Sequence, residues 1–203
     1  MELSKVTMIL RGYSYEQVRC VAEVLTNSRY VKNMEITLNS DHAYEMIRKI
    51  ADEFQGTLYI GAGTVQTYDE LVQAVKAGAG FVLSPRMMSQ KMLDYCKLHN
   101  VISVPGAFTP SEIAESLEMG ADIVKVFPAN ELGLDYAKKL CEPMGKLPLM
   151  AVGGIQAQNV KKAFQSGYTY VGTAGGLFAK EDIQNMRRDQ MLKALEVFEK
   201  ELQ

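Results

Sequence analysis

Tryptophan is absent from this 203-residue chain, and histidine and cysteine are scarce, with two and three copies. His42 and His99 fall in segments that read as helical, and no ligand spacing links them to Cys20, Cys96 or Cys141. A His/Cys metal site is therefore not expected. Scattered cysteines of odd number fit free thiols in a reducing cytoplasm better than disulfides. No charge of one sign dominates. The formal net charge is −2, without the basic excess of a nucleic-acid binder. Long hydrophobic runs are missing as well: none approaches the roughly 20 residues of a membrane span. The opening "MELSKVTMILRG" lacks the apolar core of a secretion signal. No linker or low-complexity stretch divides the chain, so one domain over residues 1–203 is expected.

What is present is a repeated alternation. Eight short apolar, β-rich runs occur: "VTMIL" (6–10), "NMEITL" (33–38), "TLYIGAG" (57–63), "GFVLS" (80–84), "NVISVPG" (100–106), "DIVKVF" (122–127), "LPLMAVGG" (147–154) and "YTYVGTAGG" (168–176). Between them lie helical patterns with apolar residues at three- and four-residue steps, as in "SYEQVRCVAEVLTN" and "TYDELVQAVKAG". Ser14, Thr67 and either Thr109 or Ser111 stand where N-caps belong. Gly78, Gly120 and Gly167 stop their helices just before the next strand. Eight such units predict an α/β fold, a (β/α)8 TIM barrel, near the lower length limit for that architecture. A long charged helix around "NMRRDQMLKALEVFEKEL" would close the ring. An open doubly wound sheet is the alternative, weakened by the lack of an early Gly-rich βα turn.

Barrels of this kind carry their chemistry at the C-terminal ends of the strands. Two strand residues there stand out. Glu35 in "NMEITL" is the one charge in its strand, and Lys125 in "ADIVKVFPA" stands in the middle of an apolar run. A charge facing the helix layer would sit unpaired among aliphatic side chains, so both are expected to face the lumen. One reading is a structural ion pair filling the barrel axis. The other is chemical. A desolvated lysine loses part of its preference for the protonated form and can attack a ketone to form a Schiff base, while a neighbouring carboxylate moves protons. The glycine loops after the last two strands, Gly153–Gly154 in "AVGGIQAQN" and Ala174–Gly175 in "GTAGGLF", stand where such barrels commonly bind phosphate. Thr64 in "GAGT" can offer its hydroxyl to a carboxylate. Arg11 would supply a fixed positive charge or, on the plainer reading, a rim salt bridge.

In order, "ILRG", "EITLNS", "IGAGTV", "SP", "VPGAFTPSE", "VKVFPA" and "AVGGI" resemble the 2-keto-3-deoxy-6-phosphogluconate / 4-hydroxy-2-oxoglutarate aldolase family, over about residues 6 to 178. The resemblance implies a class I aldolase that needs no metal or cofactor and is usually a homotrimer. It would split a 2-keto-3-deoxy sugar-acid phosphate into pyruvate and glyceraldehyde 3-phosphate. By position, Lys125 matches the Schiff-base lysine, Glu35 the general acid/base, Thr64 the pyruvate-carboxylate contact, and Pro85 the pocket wall. Gly153 and Gly154 match phosphate-binding backbone, and Arg11 a substrate-binding arginine. Asn39 stands where phosphogluconate-specific members often carry arginine, a feature similar to the phosphogalactonate branch. Gly175 replaces a common phosphate-binding serine. The alternatives are a 4-hydroxy-2-oxoglutarate aldolase, a phosphosugar isomerase or epimerase using Glu35 as base, and a non-catalytic phosphosugar binder.

Overall fold

A computed structural model describes residues 3–203. Its strands are β1 (Val6–Leu10), β2 (Asn33–Thr37), β3 (Tyr59–Gly63), β4 (Phe81–Leu83), β5 (Ile102–Val104), β6 (Gly106–Ala107), β7 (Val124–Val126), β8 (Leu149–Val152) and β9 (Tyr170–Thr173). The helices are α1 (Tyr15–Leu25), α2 (Ala43–Glu53), α3 (Tyr68–Lys76), α4 (Gln90–Leu98), α5 (Pro110–Glu118), α6 (Ala129–Leu132), α7 (Tyr136–Met144), α8 (Ala157–Gln165), α9 (Lys180–Gln184) and α10 (Arg188–Lys200).

All the strand pairings are parallel, in the order β5-β4-β3-β2-β1-β9-β8-β7-β6. The fifth apolar run appears as two strands because Pro105 has no N–H for the ladder. Hydrogen bonds nevertheless continue on both sides of it. Ser84 donates to Val104 O at 3.1 Å, and Lys125 N donates to Pro105 O at 2.8 Å. β5 and β6 therefore act as one barrel strand that keeps neighbours on both sides across Pro105, with Ser103 O accepting from Ile123 N and Gly106 N donating to Arg86 O, and the ring closes as the eight-unit reading expects.

Alternation along the strands separates two apolar layers. Met8, Leu10, Met34, Ile36, Val124 and Val126 pack outward under the helices. Ile9, Phe81, Leu83, Val104, Ile123, Met150 and Val152 form a separate cluster inside the ring. In this lumen large side chains meet glycines: a Cβ on Gly61 would strike the Phe81 ring, and one on Gly172 would strike Ile9 and Val152. The lumen is thus filled by matching bulk to absence rather than by uniform aliphatic layers.

α1, α3 and α5 open with Ser/Thr capping boxes. Ser14 pairs with Gln17, Thr67 with Glu70 and Thr109 with Glu112. Thr109 rather than Ser111 is the cap of α5, with Pro110 in the first turn, where its missing N–H costs nothing. Gly78, Gly120 and Gly167 all take positive φ just past their helices. His42 and His99 turn out to flank α2 and α4 rather than lie within them. The expected closing helix begins at Arg188, later than the charged run suggests, because Met186 turns left-handed at φ 50°.

Candidate active site

Glu35 sits between Met34 and Ile36, and Lys125 between Val124 and Val126. Because those four neighbours pack outward, both charges point into the lumen. They are almost completely buried, at 3% and 6% exposure. They do not form a direct ion pair, since no carboxylate oxygen comes within 4 Å of Lys125 Nζ among the described residues. Glu35 Oε2 has no hydrogen-bond partner at all. The structural ion pair is therefore not what fills the axis.

The electrostatics follow from this separation. Burial pushes the Glu35 carboxyl up to about 7, against the pull of Lys125 and Arg11. Burial also lowers the Lys125 ammonium to about 8, with Glu35 opposing the shift and Arg11 adding to it. Contact between the two would have driven both shifts the other way. As they stand, desolvation outweighs attraction at each site. Near neutral pH Glu35 can both give and take a proton, and the Lys125 ammonium gives up its proton more readily than an ordinary lysine. The Lys125 ammonium lies 5.1 Å from the centroid of the Phe127 ring, a further weak hold on its charged form.

Beside these groups a cavity of about 520 Å³ opens at the C-terminal end of the strands. Arg11, Phe127, Gly153, Gly154, Ala174 and Gly175 line it, and among the described lining residues Arg11 is the one charge. Arg11 is exposed and pairs with no described carboxylate, so the rim salt bridge is not formed. Its loop is held at the next residue, where Gly12 N donates to Ser40 Oγ at 2.8 Å. Gly153 and Gly154 adopt φ of 109° and 72°, backbone that side chains rarely take. They also make room: a Cβ on Gly153 would lie 2.8 Å from Asn130 Oδ1 and 3.2 Å from Ala129 N. The glycine pair thus bears the segment that leaves the Lys125 strand. Thr173 Oγ1 donates to Ile155 O at 2.7 Å and ties the last two loops together.

Of the residues expected from sequence, Arg11, Gly153, Gly154, Ala174 and Gly175 share the cavity wall, with Glu35 and Lys125 in the adjoining lumen. Thr64 and Pro85 follow β3 and β4 and do not line that cavity. Thr64 is held left-handed at φ 60°, an uncommon state for a β-branched residue. The backbone of Pro85 packs on Gly106. Asn39 is exposed beside a different, 670 Å³ cleft with Gly12 and His42. Sequence reasoning missed Asn130 and Ser40, which touch backbone from other loops and carry no local signal. Phe127 was visible, but only as a strand former. No group of three or more His, Cys, Asp or Glu is placed to hold a metal ion among the described residues.

Comparison with known proteins follows the same line. The profile of the KDPG and KHG aldolase family matches residues 1–194. A 2-dehydro-3-deoxy-phosphogluconate aldolase of Treponema pallidum is 36% identical over 131 residues, 64% of this chain and 61% of that protein. A 2-dehydro-3-deoxy-6-phosphogalactonate aldolase of Escherichia coli is 26% identical over 171 residues, 84% and 82% of the two chains. The match thus spans about three fifths of the length of several phosphogluconate aldolases and more of the phosphogalactonate one. Among solved structures, a KDPG aldolase from Legionella pneumophila, with pyruvate captured as a covalent carbinolamine, superposes with a TM-score of 0.84 at 25% identity, covering 95% and 92% of the chains. A native KDPGal structure gives 0.84 at 22% identity over 100% and 98%, a likeness of fold.

Proposed function

The chain belongs to the KDPG and KHG aldolase family, and from that membership we propose that it is a class I, pyruvate-forming aldolase. Its substrate on this reading is a 2-keto-3-deoxy-6-phospho sugar acid of the gluconate or galactonate type. One observation carries the reading: a buried lysine lowered to about 8 and a buried carboxyl raised to about 7 share one lumen without touching. Nucleophile and proton carrier are thus not tied up with each other.

The steps follow from the geometry. The free amine of Lys125 attacks the C2 carbonyl, and loss of water gives an iminium. The Glu35 carboxylate takes the proton of the C4 hydroxyl as the C3–C4 bond breaks. The bonding pair flows into the iminium, giving an enamine and releasing the aldehyde. Glu35 then returns a proton to C3, and hydrolysis frees pyruvate and the lysine. Arg11 holds an anionic end of the substrate. Thr64 and Pro85 are assigned to the pyruvate end, and the Gly153–Gly154 and Ala174–Gly175 loops to the phosphate. No described helix is long and apolar enough to cross a membrane. A homotrimer in the cytoplasm completes the proposal, supported by the family resemblance and the three free thiols.

Borohydride reduction in the presence of pyruvate tests the chemistry: a stable adduct on Lys125 is expected, and its absence alongside a trapped control aldolase overturns the reading. A cleavage assay on both C4 epimers, their unphosphorylated forms and 4-hydroxy-2-oxoglutarate assigns the substrate. The open surroundings of Gly175 make the unphosphorylated comparison the informative arm. Sedimentation analysis decides the trimer.

A further inference from the structure

Gly63 ends β3, next to the strand that carries Glu35. The Glu35 side chain reaches across from β2 and lies over Gly63. A Cβ built on Gly63 would overlap Glu35 Oε1 and Cδ and approach Cγ to 2.7 Å. The three atoms nearest to that Cβ all belong to Glu35. The φ of Gly63 is not positive, so an alanine backbone fits. Its carbonyl accepts from Leu38 N at 2.8 Å, a bond any residue can keep. The adjacent lumen position offers Glu35 no second seat, because the Phe81 ring already fills the space over Gly61. Oε2 meanwhile has no hydrogen bond to hold it, so shape rather than polarity places this carboxyl.

We infer that Gly63 is a positioning residue for proton transfer: its missing side chain is the seat that holds the Glu35 carboxyl over the lumen. The inference rests on the aldolase reading for its consequence and on packing alone for its cause. A methyl group at Gly63 meets the Glu35 carboxyl first and leaves the lysine itself unaltered. It therefore separates the two halves of the reaction: Schiff-base formation survives and C3 proton transfer fails. In pyruvate exchange with deuterated water, the C3–H bond of the Lys125 iminium breaks and its proton passes to the Glu35 carboxylate. The C–H electron pair becomes the C2–C3 double bond, and the C=N pair moves onto nitrogen. A deuteron returned to C3 reverses the step.

Two measurements test this on the full chain. In Gly63→Ala, exchange at pyruvate C3, followed by NMR, is expected to fall about 30-fold or more, within the range of a lost general base. Borohydride trapping of pyruvate should stay within about 3-fold of the unaltered protein. Equal loss of both, or exchange within about 3-fold, overturns the inference. The second measurement is thermal melting without substrate. Gly63→Ala should lower Tm by a few degrees in the unaltered protein and in Glu35→Gln, which keeps the bulk. In Glu35→Ala, which empties the seat, it should lower Tm by less than about 1 °C or raise it. The same loss in both backgrounds would show that the methyl group meets something other than Glu35. If the unaltered protein traps no pyruvate, the aldolase reading fails, while the melting comparison still decides the seat.

Discussion

Asn33 and Glu35 lie two residues apart on β2, both buried and both turned into the lumen, yet one is fully engaged and the other is not. Asn33 Nδ2 donates to Ser4 O at 2.7 Å and to Thr7 Oγ1 at 3.3 Å, and its Oδ1 accepts from Ser4 N at 3.0 Å. Nearby, Tyr59 OH donates to Gly80 O at 2.6 Å. About 7 Å further along the strand, Glu35 leaves one oxygen without a partner, and Lys125 answers it only from a distance. Along β2 the lumen position toward the N-terminal end is satisfied and the one toward the C-terminal end is poised. Two other buried oxygens also lack partners, Ser116 Oγ on α5 and Tyr168 OH just before β9, so it is the unsatisfied group inside the lumen that marks where the chemistry is.

The division is open to attack from either end. Lys125→Met strikes hardest on activity: pyruvate trapping should vanish and turnover fall by on the order of 10⁴ or more, as when a nucleophile is removed. The same change should raise Tm, since it replaces a buried, directly unpaired ammonium with an apolar chain. A lower Tm would break the contrast. Glu35→Gln should cost roughly 10² to 10⁴ in turnover with trapping retained. At the other end, Asn33→Ala should leave turnover near normal but cost about 2 to 3 kcal/mol in denaturant titrations, because it strands buried backbone partners.

pH gives a subtler contrast. Glu35 in the folded state titrates near 7, above its ordinary 4.5, so the fold binds the extra proton. Its contribution is favourable below pH 4.5 and is lost as pH rises to 7. For Lys125, lowered from 10.5 to about 8, the sign is opposite: stability is present above 10.5 and lost as pH falls to 8. Between pH 7 and 8 both groups therefore weigh against the fold. The stability difference between Glu35→Gln and the unaltered protein should grow from pH 4.5 to 7, and a flat difference in denaturation curves would contradict the shift. Least costly is Tyr59→Phe, expected to lose about 1 kcal/mol of stability and no activity.

How much of this was legible in the sequence depends on how local each signal is. The strands announce themselves through β-branched runs, and the helices through Ser14, Thr67 and the glycine stops, all within a few residues. Glu35 and Lys125 stood out because a lone charge in an apolar strand is costly wherever it points. The break at Pro105 was overlooked, since one proline in an apolar run does not tell where the ladder is interrupted. Gly63 under Glu35 and Asn130 against Gly153 were illegible for a deeper reason. Each depends on which residue faces it across a strand pair or between loops, and that is set only when the ring closes.

The glycines inside the ring have a consequence for descent. Gly61 exists for Phe81 and Gly172 for Ile9 and Val152, so neither partner in such a match is free to drift alone. A lineage that placed a side chain on one of these glycines would first have to shrink the residue opposite. Across many relatives these positions should change together or not at all, whatever sugar acid each protein handles. The barrel's interior would then be inherited as interlocking couples rather than as single letters.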